Sequence, residues 1–314
     1  MAVSPYVELL VRRVYWRNAG LMTAFKKRVR TPARKERGTS AGGMADYGRL
    51  LDFLRRHGVH GGALVVVHSA YGPLKRTGLE PEQIIEGLLA LIRPGGTLAM
   101  PAMPAFANAG KGKNYVTDDI SGQTFHYDVN RTPTTTGVLP KKLLAMPGAR
   151  RSRFPINTMV AVGALAADMM AGNLDGDRPL PCGTGSSWDF CARHNAVIVG
   201  LGIDLTHSLT MIHVAEDRLD ERWPIRGWYR NKRFTIRDGD FFQEISLRER
   251  HPRWGALHFA ERTLCRDLIA AGLLKTAAID GIRVEVLAAR DLLPFLDSRN
   301  QKGYPYFGVR RHLG

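Results

Sequence analysis

Short, unbroken apolar runs alternating with amphipathic stretches constrain this chain more than any other feature. Residues 63–67 read ALVVV, residues 97–100 TLAM and residues 196–201 AVIVGL. A strand with one wet face alternates apolar and polar positions, whereas a continuous run implies cover on both faces. Between the runs lie helical patterns. Residues 46–57 carry Leu50, Leu51 and Leu54 on one side and stop before Gly58, a residue suited to ending a helix. Residues 81–91 open on Pro81, which fits a first helical turn. The alternation continues with helices expected over 136–146, 165–170, 209–219, 256–271 and 289–296. Strands are expected over 159–162 and 281–287, with a hairpin of 234–237 and 243–247 around Asp238-Gly239-Asp240. This order predicts an α/β fold: a three-layer sandwich, its central mixed sheet flanked by helices, with an extra N-terminal helical arm.

The arm is a matter of charge. Residues 1–45 hold ten Lys/Arg against two Asp/Glu, a net +8 that is half of the chain's +16. Tyr6, Leu9, Leu10, Val14 and Tyr15 form a stripe at helical spacing within an expected helix over 5–29, and 31–45 reads as a polar linker. Such an arm suits an anionic membrane surface or nucleic acid, but equally a solvated extension or a helix docked on the body or a second subunit. It leaves a homo-oligomer open. No Pro/Gly/Ser-rich break divides 46–298, so 46–314 is expected to form one body. No stretch nears the roughly 18–20 apolar residues of a membrane span. Charges interrupt the first apolar residues, unlike a secretory signal. Cys182, Cys191 and Cys265 are too few and too scattered for a disulfide framework, which predicts reduced thiols in a cytoplasmic protein.

The chain has no G-x-x-x-x-G-K-[ST] phosphate loop, no H-E-x-x-H and no G-x-S-x-G elbow. The segment 183–187, GTGSS, resembles a phosphate cradle but follows no strong strand. The best chemical cluster is Thr210 to Glu216, soon after the AVIVGL strand. His213 and Glu216, three apart, share one face of the helix expected there. A histidine is the natural base for a nucleophilic amine, and a carboxylate one turn away could orient it or hold a cationic acceptor. Taken alone, the pair reads more readily as a helix-surface pair without a role. A metal set of His207, His213 and Glu216 lacks a second cluster of ligands, so no metal is expected. His68-Ser69 ends the first apolar run, where ligands gather in open α/β sheets; His68 is the rival candidate for the base.

Across 46–298 these pieces resemble the aminoglycoside 3-N-acetyltransferase family, in the family's order. The matching segments are Val67 to Ala70, Pro94 to Pro101, Thr134 to Gly137, Pro147 to Gly163, Gly183 to Ser187, Thr210 to Glu216 and Ala289 to Leu292. The resemblance implies direct acetyl transfer from acetyl-CoA to an amine, with His213 as base and Glu216 assisting or contacting the acceptor. It also implies that His68 and Ser69 lie by the pantetheine or thioester, with Thr136, Gly137 and Ser152 near CoA. Two positions depart from the pattern: the family's H-P histidine is Phe154 and its S-P proline is Ser187. The arm is additional.

Polycationic aminoglycosides favour a negative cleft, and this chain is strongly basic even without its arm. The expected acceptor is therefore a neutral or anionic amino sugar, such as a nucleotide-linked sugar or a glycan precursor. The alternative is an aminoglycoside-inactivating resistance enzyme. A reading of another class is a non-enzymatic nucleic-acid or membrane-surface protein working through the arm; nucleic acid is not an expected partner of the acetyltransferase.

Overall fold

The computed structural model describes residues 43–106, 119–223, 227–252 and 259–300, together with Val14. The expected helix over 5–29, Val14 apart, and most of the linker after it lie outside the described residues. The body opens with α1 (Tyr47–Arg56), β1 (Leu64–Ser69), the four-residue α2 (Tyr71–Leu74) and α3 (Pro81–Ile92). There follow β2 (Thr97–Pro101), β3 (Thr124–Asp128), α4 (Val138–Leu144) and β4 (Arg150–Arg151). Next come β5 (Met159–Gly163), α5 (Ala166–Met170), α6 (Ser187–Arg193), β6 (Val197–Leu201) and α7 (Ile212–Asp217). The chain then forms the hairpin β7 (Tyr229–Asp238) and β8 (Phe241–Arg250), α8 (Phe259–Ala270), β9 (Lys275–Ile279), β10 (Ile282–Ala288) and α9 (Ala289–Asn300).

Local chemistry sets the element ends. The Asp46 carboxylate accepts from the Gly48 N–H at 2.7 Å and caps α1, whose last turn carries Arg55 and Arg56. An anion at the start and cations at the end both oppose the helix dipole. At α3 the Glu80 N–H donates to the Gln83 side chain at 2.8 Å, with Pro81 in the first turn.

Seven strands form a mixed sheet in the order β4-β5-β2-β1-β6-β10-β9. β1 runs parallel to both β2 and β6, while β5 and β10 run antiparallel to their neighbours. Alternation along β1 explains its unbroken apolar run. Leu64 and Val66 enter one core with α6, α7, α8 and α9; Val65 and Val67 enter another with α1, α3 and α4. The expected three-layer arrangement is therefore the observed one. A second sheet, β3-β7-β8, has its own core of Phe125, Tyr127, Phe154, Phe234, Ile236 and Leu247.

Several elements differ from the sequence expectations. The hairpin arms run ten residues each. α4 starts only at Val138, because Gly137 takes φ 108° and cannot belong to a helix. The helix expected over 209–219 shortens to Ile212–Asp217, preceded by a 3-10 turn at Leu205–His207. α2, β3, β4, β9 and α6 were not expected. Of these, α6 had a legible start, since the Ser186 hydroxyl accepts from the Asp189 N–H at 3.1 Å, three residues on.

Candidate active site

The three parallel strands β1, β2 and β6 end at one edge of the sheet, where β5 and β10 begin. After β6, the Asp204 side chain accepts from the Thr206 N–H at 2.8 Å, and the chain turns back into α7. Met211, Val214 and Ala215 are buried in the core and fix the rotation of this short helix. His213 and Glu216 consequently share a face, with His213 Nδ1 and Glu216 Oε2 2.8 Å apart. The His213 side chain keeps 14% of its exposure and that of Glu216 only 1%. A neutral imidazole whose Nδ1–H donates to this carboxylate presents Nε2 as a proton acceptor. Glu216 Oε1 is buried without a hydrogen-bond partner.

The pair lines a cavity of about 240 Å³, shared with Asp217, Asn157, and Glu249 and Arg250 of β8. Asp217 Oδ2 accepts from the Cys182 N–H at 2.8 Å, and Oδ1 accepts from the Tyr229 hydroxyl at 2.7 Å. Burial raises the Asp217 carboxyl to about 6, and neighbouring Glu216 adds to the rise. Tyr229 is pushed above its ordinary value by burial and then by Asp217. Burial also raises the thiols of Cys182, Cys191 and Cys265. All three are free and buried, so none offers a thiolate nucleophile.

His68 lies at the end of β1, 5% exposed, its ring 6.0 Å from that of Trp188 and tilted 24°. Its Nε2 has no partner, and burial lowers the imidazole to about 4. So weak a base suits proton abstraction at neutral pH poorly, which leaves His213 the better candidate. Trp188 Nε1 donates to the Asn157 carbonyl at 2.6 Å, and Asn157 lines the His213 cavity. A chain of contacts thus joins His68 to the wall of that cavity.

The remaining expected site residues are spread along and behind the sheet edge. Ser69 follows His68 on the strand, so its side chain points to the opposite face. The Thr136 hydroxyl donates to the Pro101 carbonyl at 2.6 Å, which ties the start of α4 to the end of β2. Gly137 beside it is exposed, with open space where a Cβ would stand. Ser152 is buried. Its hydroxyl donates to Asn173 Oδ1 at 2.6 Å and accepts from the Phe154 N–H at 3.0 Å. Neither Ser152 nor Thr136 lines the His213 cavity. Phe154, where the family pattern has histidine, is 2% exposed within the core of the smaller sheet. The GTGSS segment leads into α6, where the first-turn carboxylate of Asp189 is held by Arg193 at 2.9 Å and Arg218 at 2.8 Å. Gly185 N–H also points to Asp189, at 3.4 Å, so the turn that resembled a phosphate cradle already faces an anion. Among the described residues, no cluster of His, Cys, Asp or Glu could hold a metal, and no helix is long and apolar enough to cross a membrane.

Sequence reasoning missed Asp217, Tyr229, Asn157, Glu249 and Arg250. Asp217 had a signal: with Glu216 it makes two adjacent carboxylates on a helix otherwise mostly apolar. The others come from distant segments, and only the folded chain assembles them.

The family model for aminoglycoside 3-N-acetyltransferase matches residues 66–299. A curated relative, aminoglycoside N(3)-acetyltransferase VIII of Streptomyces fradiae, is 26% identical over 276 residues, covering 81% of this chain and 91% of its own length. Aminoglycoside N(3)-acetyltransferase III of Acinetobacter baumannii is 28% identical over 191 residues, covering 55% of this chain and 62% of its own. The solved structure of AAC-IIIb in its binary complex with CoASH superposes with a TM-score of 0.66 at 24% identity, covering 85% of this chain and 98% of that one. That likeness is one of fold. The family match spans most of the described body and includes the His213–Glu216 pair, and the chain belongs to the aminoglycoside 3-N-acetyltransferase family of acetyltransferases.

Proposed function

We propose that this chain transfers the acetyl group of acetyl-CoA to the 3-amino group of an aminoglycoside. The observation that carries the reading is the part-buried His213–Glu216 pair, 2.8 Å apart, on the wall of a cavity that also bears Asp217 and Glu249. The net charge of +16 favoured a neutral or anionic amino sugar. The local picture differs: three carboxylates border the cavity, against one arginine and the histidine. That balance suits a polycation. The relatives, named as aminoglycoside acetyltransferases, support the same acceptor class over a nucleotide-linked or glycan-precursor sugar.

The residues at the sheet edge fit a thioester co-substrate. His68 has a buried nitrogen without a partner, and Gly137 offers open, uncrowded backbone. His68, Ser69, Thr136 and Gly137 would hold the pantetheine arm, with Ser152 stiffening the turn behind them. Acetyl-CoA, when bound, supplies an acyl carbon and a thiolate leaving group. An alkyl ammonium cannot attack that carbon until it has lost a proton. His213 Nε2 takes a proton from the attacking nitrogen and returns it to the departing sulfur. Glu216 fixes the tautomer through Nδ1–H and steadies the imidazolium that forms.

A thiol-release assay over aminoglycosides, nucleotide amino sugars and simple amino sugars tests the reading. Turnover is expected with aminoglycosides. The variant His213→Gln should lose about 10²- to 10⁴-fold in kcat, with CoA affinity unchanged by calorimetry. Turnover confined to nucleotide sugars would overturn the acceptor assignment, and a fully active His213→Gln variant would overturn the base.

A further inference from the structure

Acetyl transfer to an ammonium has a proton to lose that the His213–Glu216 pair does not account for. The acceptor enters as R–NH₃⁺ and leaves as an amide carrying one N–H, so two protons depart from nitrogen. His213 moves only one of them, from nitrogen to sulfur. Alkyl ammonium groups keep their first proton until about pH 8–10, so at neutral pH this first removal limits how much acceptor can react.

We propose that Asp217 takes the first proton from the acceptor ammonium in the His213 cavity and releases it to water through the wider groove on its other side. The inference rests on the acetyltransferase reading above. Its basis is position. Asp217 lines the cavity of about 240 Å³ that holds His213 and Glu216. It also lines a larger groove of about 570 Å³ along Arg178, Gly183 to Gly185, Arg218 and Asp220. No other member of the smaller cavity's lining named above is shared with this groove. The carboxylate is held rigidly from two sides, by the Cys182 N–H and the Tyr229 hydroxyl. Each oxygen thereby keeps a further lone pair for an acceptor N–H.

The surroundings give Asp217 a usable basicity. On its own helix it faces His213 and Glu216; from β7 comes Tyr229, and from the turn before α6 comes Cys182. From β8, Arg248 also feels its charge, but Arg248 is committed to Asp220 through contacts of 2.6 and 3.1 Å. Glu249 and Arg250 close the far side of the cavity. Burial dominates this set and leaves the carboxyl at about 6. It is thus ionised at neutral pH, yet more basic than an ordinary aspartate. The sequence balances. An ammonium N–H bond breaks with its electron pair left on nitrogen, and the proton goes to Asp217. The neutral nitrogen attacks the acyl carbon, the C–S bond breaks, and His213 carries the second proton to sulfur. Asp217 then gives its proton to solvent, the one proton that the overall reaction releases.

The test is the pH dependence of kcat/KM for an aminoglycoside, measured on the full chain from about pH 5.5 to 9.5. The variant Asp217→Asn should lose roughly ten-fold or more near pH 6.5 and approach wild type above pH 9, where the acceptor amine is already neutral. CoA binding and thermal melting serve as controls. The variant Tyr229→Phe keeps the carboxylate but removes a hydrogen bond that favours its charged form. Its acid limb should therefore move to higher pH. A deficit in Asp217→Asn that is constant across pH, or an acid limb unmoved in Tyr229→Phe, would overturn the proposal and leave Asp217 a structural anchor. A wild-type chain that turns over no aminoglycoside would sink the parent reading, and this inference with it.

Discussion

His68 sits at the end of β1 with its imidazole lowered by burial to about 4. In the unfolded chain the same ring takes a proton near 6.5. Between those values the unfolded state binds more protons than the fold, so stability is fully kept above this window and lost as pH falls through it. The loss at full extent is about 3 kcal/mol. Urea midpoints at pH 7.5 and pH 5 should therefore fall further apart for wild type than for His68→Gln, and equal shifts in the two proteins would count against a buried neutral ring. The same burial separates two histidines that look alike in the sequence. His68 ends an apolar run and His213 comes soon after one, and each lies near a polar partner. Only His213 has a carboxylate at 2.8 Å together with residual exposure. The i, i+3 spacing made that pair legible. The weakness of His68 as a base was not, because it follows from burial among distant segments, Trp188 of α6 among them, 120 residues away in the chain.

At the scale of elements, strands with both faces covered were legible because nothing but apolar residues satisfies two cores at once. β3 was overlooked although its pattern, Thr124 to Asp128, alternates burial as a strand should. It has only five residues, and its parallel partner β7 lies more than 100 residues further on. β9 carries no long apolar run, since it is the outer strand and largely exposed. α6 was hidden by its glycine-rich approach, which drew attention to phosphate chemistry instead of to the cap at Ser186. The junction between β5 and α5 depends on one backbone requirement. Gly163 takes φ 133°, and a Cβ there would overlap the Gly96 carbonyl oxygen and stand 2.6 Å from Thr97 Cα. The clash falls on backbone rather than on a flexible side chain, so it cannot be relieved locally. Gly163→Ala should accordingly cost about 3 kcal/mol in urea denaturation, and a loss below 1 kcal/mol would mean that β5 shifts its register at little cost.

For the molecule as a whole, net charge points away from the acceptor proposed above because it sums groups too far apart to matter. Exposed charges are screened within about 8–10 Å at physiological salt, whereas the cavity feels Glu216, Asp217 and Glu249 directly. Half of the basic excess lies in residues 1–45, ahead of the family match at 66–299. Removing residues 1–40 should thus leave kcat/KM within a few-fold of the full chain, about 1 kcal/mol or less in barrier. A loss of several orders of magnitude in a folded variant would show that the arm completes the site. The long hairpin bears on how such a molecule could change its acceptor over time. At its foot Tyr229 pairs with Arg250, and Tyr229, Glu249 and Arg250 all border Asp217 or the His213 cavity. At its tip Asp238 and Phe241 border a second cavity with Arg150, Arg151 and Arg153. The proposed base, His213, and its carboxylate, Glu216, come instead from α7. One contiguous ribbon of the gene therefore encodes much of the proposed acceptor-side wall, separately from the helix that bears the proposed base. Recombination that exchanged this ribbon alone between relatives would carry acceptor preference with it and leave the acetyl-transfer machinery in place.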